Sequence, residues 1–308
     1  MNENIPDEQE IFQTEIIVPA SSVQLEEVSI VPQAPKRRLR LPLLLFIATC
    51  LSTLMTGMAT ASYRATWGEA FWHGLKYAGP LMTILVCHEM GHFLQAWRHG
   101  VYASLPYFIP MPASPIGTMG AVIAMQARMG DRRSLFDIGI SGPLAGLAPT
   151  LICCVLGIYW STPILGRGEL GDPLLFKILT YAMGKHIPTG FDLLLHPVAY
   201  AGWVGLLITS LNLFPIGLLD GGHILYALLG RKAHTVARLL LVAAIVAIIY
   251  FQLYMWMLMI FLLIMIGPSH PPTANDYESL GWWRIILGWL TLAFIPLGFV
   301  PVPFNIGP

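Results

Sequence analysis

Long apolar runs separated by short polar segments dominate the chain. Runs of about 20 residues, the length that crosses the hydrocarbon core of a bilayer as a helix, lie near 41–61, 74–97, 135–160 and 198–217. A last apolar run covers 284–303. This pattern predicts an all-α polytopic membrane protein.

A longer apolar run lies near 235–267 and does not fit one ordinary span. The polar and aromatic stretch Tyr250-Phe251-Gln252-Leu253-Tyr254 interrupts this run. We interpret the run as two short helices joined by a tight turn. The chain is therefore predicted to have six or seven transmembrane helices, the lower number applying if this run is one tilted helix.

The segment between the second and third predicted helices is apolar but cannot be helical. Its sequence, SLPYFIPMPASPIGTMGAVIAMQARM, contains four prolines, which break helices: Pro106, Pro110, Pro112 and Pro115. The part at 117–125 is flanked by glycine and partly prone to form strands. We expect a re-entrant β-hairpin or loop that lines a cavity. The alternative is a loop that lies along the membrane surface.

Composition supports a membrane protein and excludes some partners. Hydrophobic residues make up 56% of the chain and charged residues 11%, about half the charged share of a soluble domain. The formal net charge is zero, so no nucleic-acid partner is indicated. The four cysteines lie in apolar segments without Cys-x-x-Cys spacing, and we interpret them as packing residues.

The first 35 residues differ from the rest, because they contain acidic but no basic residues. They are predicted to form a disordered cytoplasmic tail, and they resemble neither a signal peptide nor a transit peptide. Lys36, Arg37, Arg38 and Arg40 then precede the first apolar run, which indicates a cytoplasmic N-terminus. These features favour a bacterial inner membrane over an organelle membrane.

The remaining charges mostly agree with that orientation. Counting helices places Arg98, Arg132 and Arg231 on the cytoplasmic side, together with Arg128, Arg133, Lys232 and Arg238. The loop 161–197 falls on the other side. It contains Arg167 and Lys185, which disagree with the rule to a small extent.

Ionisable residues inside the second apolar run indicate a chemical site. His88 and His92 are four residues apart, so on a helix both imidazoles lie on one face and can bind one metal ion. Glu89 lies near the same face, in the position of a general base that acts on the attacking water. The alternative is that the three side chains only form hydrogen bonds within the bundle, but ionisable residues in membrane helices are usually functional.

A catalytic zinc site needs a third protein ligand. Asp220 lies in an apolar stretch rich in glycine and proline, and the helix count places it near the cytoplasmic side with the two histidines. His223 is the competing candidate. Asp137 is expected to cap a helix instead, because it follows Ser134 by three residues. Asn212 is either a structural clasp or an oxyanion donor.

Two motifs together resemble a known family. HEMGH in one predicted transmembrane helix, followed by NLFPIGLLDGGHIL, is similar to the site-2 protease family of intramembrane zinc metalloproteases. GTMGAVIAM and SLFDIGISGPLAGL also resemble stretches near the core of that family. The resemblance covers roughly residues 74–230, which would form the metalloprotease core. A first helix and loop at 36–73 would precede the core, and C-terminal helices at 231–308 would follow it.

The resemblance implies specific roles for these residues. One Zn²⁺ per chain would be bound by His88, His92 and Asp220, and Glu89 would be the catalytic acid and base. Asn212 would help to position substrate, and the hairpin would offer a backbone edge to an unwound substrate strand, through Gly117, Gly120, Ala121 and Val122.

The implied activity is hydrolysis of peptide bonds in or next to transmembrane segments of other membrane proteins. Many members carry a PDZ or nucleotide-sensing domain, which the sequence does not display, so substrate selection is open. Two alternatives are a non-proteolytic zinc-binding transporter or sensor, and an inactive relative that only binds transmembrane helices. The sequence indicates neither the substrate nor the oligomeric state.

Overall fold

The computed structural model describes residues 39–125, 130–166 and 170–304. The predicted acidic tail at 1–35 lies outside these residues, as do Arg128 and Arg167. Helices dominate the described part of the chain: α1 (Arg40–Ala59), α2 (Trp67–Arg98), α3 (Arg132–Trp160), α4 (Leu174–Ala182), α5 (Pro197–Asn212), α6 (Asp220–Leu229), α7 (Ala233–Tyr250), α8 (Met257–Ile266), α9 (Trp282–Leu292) and α10 (Ile295–Gly298). Four short strands complete it: β1 (Tyr107–Met111), β2 (Gly117–Val122), β3 (Thr162–Leu165) and β4 (Phe191–Leu194).

Within the described residues, three helical stretches are long and apolar enough to cross a membrane: Arg40–Ala59, Arg132–Trp160 and Asp220–Tyr250. The last contains α6, a 3-10 turn at Gly230–Lys232 and α7. Helix α2 has 32 residues, about 48 Å at 1.5 Å per residue, but its histidines and glutamates make it less apolar. The fold is thus that of a mainly helical membrane protein.

The hairpin that the sequence predicts between α2 and α3 is present. Strands β1 and β2 pair antiparallel, with Tyr107 opposite Val122 and Met111 opposite Gly117. Helix α1 holds the hairpin through a hydrogen bond from Ser52 Oγ to the Gly117 carbonyl, 2.6 Å long. The hairpin prediction is therefore confirmed, although the surrounding helices rather than the strands form most of the core.

Two stacked tyrosines hold the turn of the hairpin. The rings of Tyr77 on α2 and Tyr200 on α5 are stacked with centroids 4.9 Å apart. The Tyr77 hydroxyl donates to the Ile116 carbonyl at 2.7 Å, and the Tyr200 hydroxyl donates to the Pro115 carbonyl at 2.8 Å. Because these hydroxyls satisfy the carbonyls of the turn, non-helical backbone is tolerated inside a helical bundle.

The segment 161–197 contains more structure than the sequence predicts. Strands β3 and β4 pair antiparallel, and the short helix α4 lies between them in the chain. Lys185 Nζ donates to the carbonyls of Ile158, Tyr159 and Ser161 at 2.5–2.8 Å, at the C-terminal end of α3. A cation is favourable at a helix C-terminus. Lys185 therefore has a local structural role, which explains its disagreement with the charge rule.

The predicted cap of α3 is wrong. Asp131, not Asp137, caps the helix, because its Oδ1 accepts from the Ser134 backbone N–H at 2.7 Å. Asp137 lies six residues further on and instead accepts two hydrogen bonds from the Arg284 guanidinium at 2.7 and 2.8 Å. The spacing between Ser134 and Asp137 is compatible both with a helix cap and with an ion pair. Only the packing of α9, which carries Arg284, shows that Asp137 forms the ion pair.

Several predicted helix ends also differ. The run at 235–267 is two helices, α7 and α8, separated at the predicted turn, which confirms that interpretation. Helix α8 has 10 residues, about 15 Å, and is too short to span the bilayer alone. The predicted helix at 198–217 ends at Asn212, and that at 284–303 ends at Leu292. Proline or glycine follows each of these ends within four residues and prevents a regular continuation.

Helix α5 is at the centre of the main hydrophobic core. Its Trp203, Val204 and Leu206 are almost fully buried and pack in one cluster with Leu81 and Leu85 of α2. Helix α3 packs against both α2 and α5. The three helices therefore form a central group, and the histidines of α2 face into it.

Candidate metal centre

Helix geometry brings the two predicted histidines together. His88 and His92 lie one turn apart on α2, and their Nε2 atoms are 3.3 Å from each other. Both residues are buried, with exposed fractions of 4% and 5%. Two imidazoles with converging ring nitrogens inside a helical bundle form half of a typical zinc site.

Asp220 completes the group from another helix. It is the first residue of α6, and its Oδ2 and Oδ1 lie 3.1 and 3.2 Å from Nε2 of His88 and His92, respectively. One ligand atom from each residue lies within 4.8 Å of the others. Among the described residues, this is the one group of at least three His, Cys, Asp or Glu side chains that can hold a metal ion.

The donor set fits zinc. Two imidazole nitrogens and one carboxylate are the ligand types found in catalytic zinc sites, which leave a further position open. An isolated carboxylate in an apolar interior is costly, and a bound cation offsets that cost. At the start of α6, the carboxylate also has a favourable interaction with the helix dipole.

A backbone carbonyl orients His92. Its Nδ1 lies 2.7 Å from the Ile138 carbonyl oxygen on α3. A carbonyl can only accept, so Nδ1 carries the hydrogen and donates it. The lone pair of the neutral imidazole is then on Nε2, the atom that faces Asp220 and His88. This arrangement prepares His92 to bind a metal.

Glycines on α3 make room for the histidines. A Cβ added at Gly142 would overlap the His92 ring, and one added at Gly146 would lie 3.0 Å from His88 Cβ. Any larger side chain at these positions would push the two helices apart or displace the imidazoles. The close packing of α3 against α2 thus determines the geometry of the site.

The other predicted site residues take different places. Glu89 follows His88 on α2 and is buried, with 4% of its surface exposed. Asn212, the last residue of α5, lies beside the metal group, with its Nδ2 3.3 Å from His88 Nε2. The hairpin candidates Gly117, Gly120, Ala121 and Val122 all lie on β2, which packs against α1 and α2.

A family comparison agrees with this geometry. The sequence model of peptidase family M50 matches residues 77–257, more than half of the chain. The chain belongs to peptidase family M50. This is the site-2 protease family of intramembrane zinc metalloproteases, which confirms the resemblance in the two motifs. The matched residues include His88, His92 and Asp220.

Curated relatives of this M50 chain are named zinc metalloproteases. It is 30% identical over 251 residues to the probable zinc metalloprotease EGY1, chloroplastic, of Arabidopsis thaliana, covering 74% of this chain and 43% of the relative. It is 31% identical over 237 residues to the probable zinc metalloprotease EGY2, chloroplastic, of the same plant, covering 73% and 42%. The chain spans about two fifths of the length of these relatives. No solved structure matches the chain.

The names of these relatives bear on the membrane in which the chain is expected to lie. Both are named chloroplastic, which conflicts with the bacterial inner membrane that the N-terminal sequence favours. The membrane character of the M50 chain is unaffected, because it follows from the family and the apolar helices.

His223, the competing third ligand, lies outside the metal group of the M50 chain. Its Nδ1 is 2.7 Å from His270 Nε2, in the segment between α8 and α9. Sequence reasoning did not identify His270 or the Ile138 carbonyl. Neither has a local signal, because His270 lies in a loop and a backbone carbonyl is present at every residue.

Proposed function

We propose that this chain is an intramembrane zinc metalloprotease that hydrolyses peptide bonds in or next to transmembrane segments of other membrane proteins. The observation that carries the proposal is the convergence of His88, His92 and Asp220 within 4.8 Å in the helical interior. Family membership gives this geometry a chemical meaning. The substrate is a transmembrane protein in the surrounding bilayer.

In this proposal, His88, His92 and Asp220 hold one zinc ion. The chemistry that zinc would supply there is polarisation of the scissile carbonyl and a lower pKa of the attacking water. Glu89 accepts a proton from the attacking water at its carboxylate and then donates it to the leaving nitrogen. Its burial beside His88 on α2 supports this role.

Substrate positioning is assigned to Asn212 and the hairpin. The Asn212 side chain lies at the edge of the metal group, where its amide can donate to a substrate carbonyl. Strand β2 would offer its backbone edge at Gly117, Gly120, Ala121 and Val122 to an unwound substrate strand. A substrate must unwind there, because a helix shields its own peptide bonds with internal hydrogen bonds.

The proposed topology has six or seven spans, a core at 74–230 and the site towards the cytoplasmic side, where the N-terminus lies. Contacts support a common side for three helix ends. Arg132 at the start of α3 donates to the carbonyls of Ala227 and Leu228 at the end of α6. His99, just after α2, lies 3.2 Å from Asp137 near the start of α3.

The test compares purified wild-type protein with the Glu89→Gln variant. The variant is expected to retain zinc, because no proposed ligand changes, and to lose cleavage, because the amide cannot accept the proton. Metal analysis measures zinc, and comparison of membrane proteomes from cells expressing each protein identifies cleaved substrates. Normal cleavage by Glu89→Gln would overturn the assignment of Glu89.

The Asp220→Ala variant tests the ligand set in the same experiment. It is expected to lose zinc, because two imidazoles remain without a carboxylate. Full zinc occupancy in this variant would point to His223 as the third ligand. Zinc transport into liposomes without proteolysis by the wild type would instead favour a transporter.

A further inference from the structure

A segment beyond the family match runs along helix α6. Residues 267–276, called the strap here, form the first part of the connection between α8 and α9 and follow the matched region, which ends at 257. The strap contacts the turn before α6 and two successive turns of α6 itself. Helix α6 begins with Asp220, so the strap lies against the element that carries the proposed third ligand.

The first contact lies just before Asp220. A Cβ added at Gly217 would be 2.5 Å from the Gly267 carbonyl oxygen, so the two backbones touch. Gly217 also has a φ of +59°, a conformation that residues with side chains rarely adopt. The strap thus abuts the sharp turn that leads into α6.

The second contact is a hydrogen bond between two histidines, His270 of the strap and His223 of α6. His270 is buried, and its Nδ1 lies 2.6 Å from the Pro271 carbonyl, so this nitrogen donates. In the neutral ring, Nε2 is then the acceptor, and it lies 2.7 Å from His223 Nδ1. His223 therefore donates to His270. His223 follows Asp220 by three residues, so the bond fixes the first turn of α6.

The third contact fixes the next turn. The Tyr226 ring stacks on His270 with centroids 4.6 Å apart and an angle of 25° between the planes. The Tyr226 hydroxyl donates to Asp276 Oδ2 at 2.9 Å. The Thr273 hydroxyl donates to Asp276 Oδ1 at 2.6 Å, which closes the strap on itself. Tyr226 and His223 are three residues apart and lie on the same face of α6.

Helix α6 needs such support. It has 10 residues, and its N-cap residue, Leu219, provides no capping side chain. Non-helical residues separate α6 from α5, so local structure alone does not fix the direction in which Asp220 points. A carboxylate must be held within about 0.5 Å for productive metal binding.

We propose that the strap positions Asp220 for metal binding, with His270 as the main positioning residue acting through His223. This inference rests on the proposed function, because it assigns a role to contacts around the same metal group. Outer partners of metal ligands usually change metal affinity by about 10-fold to 100-fold when removed. Removing the His270 side chain should therefore weaken zinc binding although His270 is not a ligand.

The test measures zinc affinity of the full chain in detergent by competition with a chelator. His270→Ala is expected to lower the affinity about tenfold or more. His270→Gln is expected to recover part of the loss, because its amide can still accept from His223. His73→Ala is the matched control: it removes a histidine that bonds the Gly57 carbonyl at 2.9 Å near the other end of α2. This control should bind zinc like the wild type.

A milder variant covers the case in which His270→Ala does not fold. Tyr226→Phe removes only the hydroxyl that bonds Asp276, and it should lower zinc affinity about twofold to tenfold. The visible spectrum of the cobalt-substituted protein should also shift in His270→Ala, since it reports ligand geometry. A purely structural strap would lower stability without changing that spectrum.

The outcomes separate this inference from the proposed function. If His270→Ala and Tyr226→Phe bind zinc as tightly as the wild type while Asp220→Ala loses it, the strap has no positioning role and the metal site stands. If the folded His270→Ala variant binds zinc as tightly as the His73→Ala control, the positioning role of His270 is overturned. A wild-type protein without zinc would overturn the proposed function and this inference together.

Discussion

At the scale of single residues, atoms outside the motif prepare the metal site. The Ile138 carbonyl sets the tautomer of His92, so that Nε2 presents its lone pair to the group. Gly142 leaves the space in which that ring lies. The proposed ligand His92 is therefore positioned by neighbours on α3 that belong to no proposed ligand side chain.

Gly142→Ala tests this dependence on space. The added methyl group would overlap His92 Nε2, so zinc affinity should fall at least about tenfold. Gly79→Ala is a matched control, since both glycines precede a proline within a helix and a Cβ at Gly79 meets nothing within 4 Å. Chelator competition measures both variants. Equal zinc affinity in the two would show that the ring can move without loss.

At the scale of elements, the hairpin depends on helices that are distant in the chain. Ser52 of α1 bonds Gly117 at the start of β2, and the two stacked tyrosines hold the carbonyls of the turn. Two strands alone are marginally stable. The docking on α1, α2 and α5 therefore gives β2 a defined position for the proposed substrate strand.

Ser52→Ala should weaken the hairpin without affecting the metal. Loss of one buried hydrogen bond costs about 1 kcal/mol, so KM for a cleaved substrate should rise about fivefold while zinc content stays constant. Thr83→Ala is the control, because its hydroxyl only bonds Gly79 within α2 and is exposed. Kinetics with a substrate found by the proteome comparison provide the measurement. A KM equal to that of Thr83→Ala would argue against a role for the hairpin in binding.

At the scale of the whole molecule, the two ends of α3 contact different segments of the chain. Its first turn contacts the end of α6 through Arg132, and its last carbonyls bind Lys185. The helix has 29 residues, about 43 Å in length, which exceeds the hydrocarbon thickness of about 30 Å. Helix α3 is therefore long enough to place its two ends on opposite sides of a bilayer.

Substitutions that each introduce one cysteine test the proposed orientation of the chain in the membrane. With bacteria only as the expression host, His186→Cys should react with a membrane-impermeant maleimide in intact cells, whereas Arg98→Cys and Arg231→Cys should react only after permeabilisation. All three positions are exposed, and the four native cysteines are buried or half-buried. The unmodified protein gives the background. Labelling of Arg231→Cys from outside would reverse the proposed orientation.

Much of this protein could be predicted from local patterns. The positions of α1, α2 and α3, the break at 250–254 and the hairpin after α2 follow from apolar run lengths and proline placement. The small sheet of β3 and β4, the shortness of α8 and the role of Asp137 could not be predicted in this way. Each of these features depends on which distant segment packs against it. Asp137 and Ser134 have the spacing of a helix cap, but Asp137 binds Arg284, which lies 147 residues further along the chain.

The sequence by itself determined the membrane character and the pair of histidines, because bilayer thickness and helical periodicity act within one segment. It also limited the third partner to Asp220 or His223, two neighbours in one motif. Only the tertiary structure decided which of them faces the histidines. Packing of α3 against α2, and of α6 against α3, brings Asp220 within 3.2 Å of both rings, while His223 lies against His270. His88 and Asp220 are 132 residues apart in the chain, and no local propensity encodes a contact at such a distance.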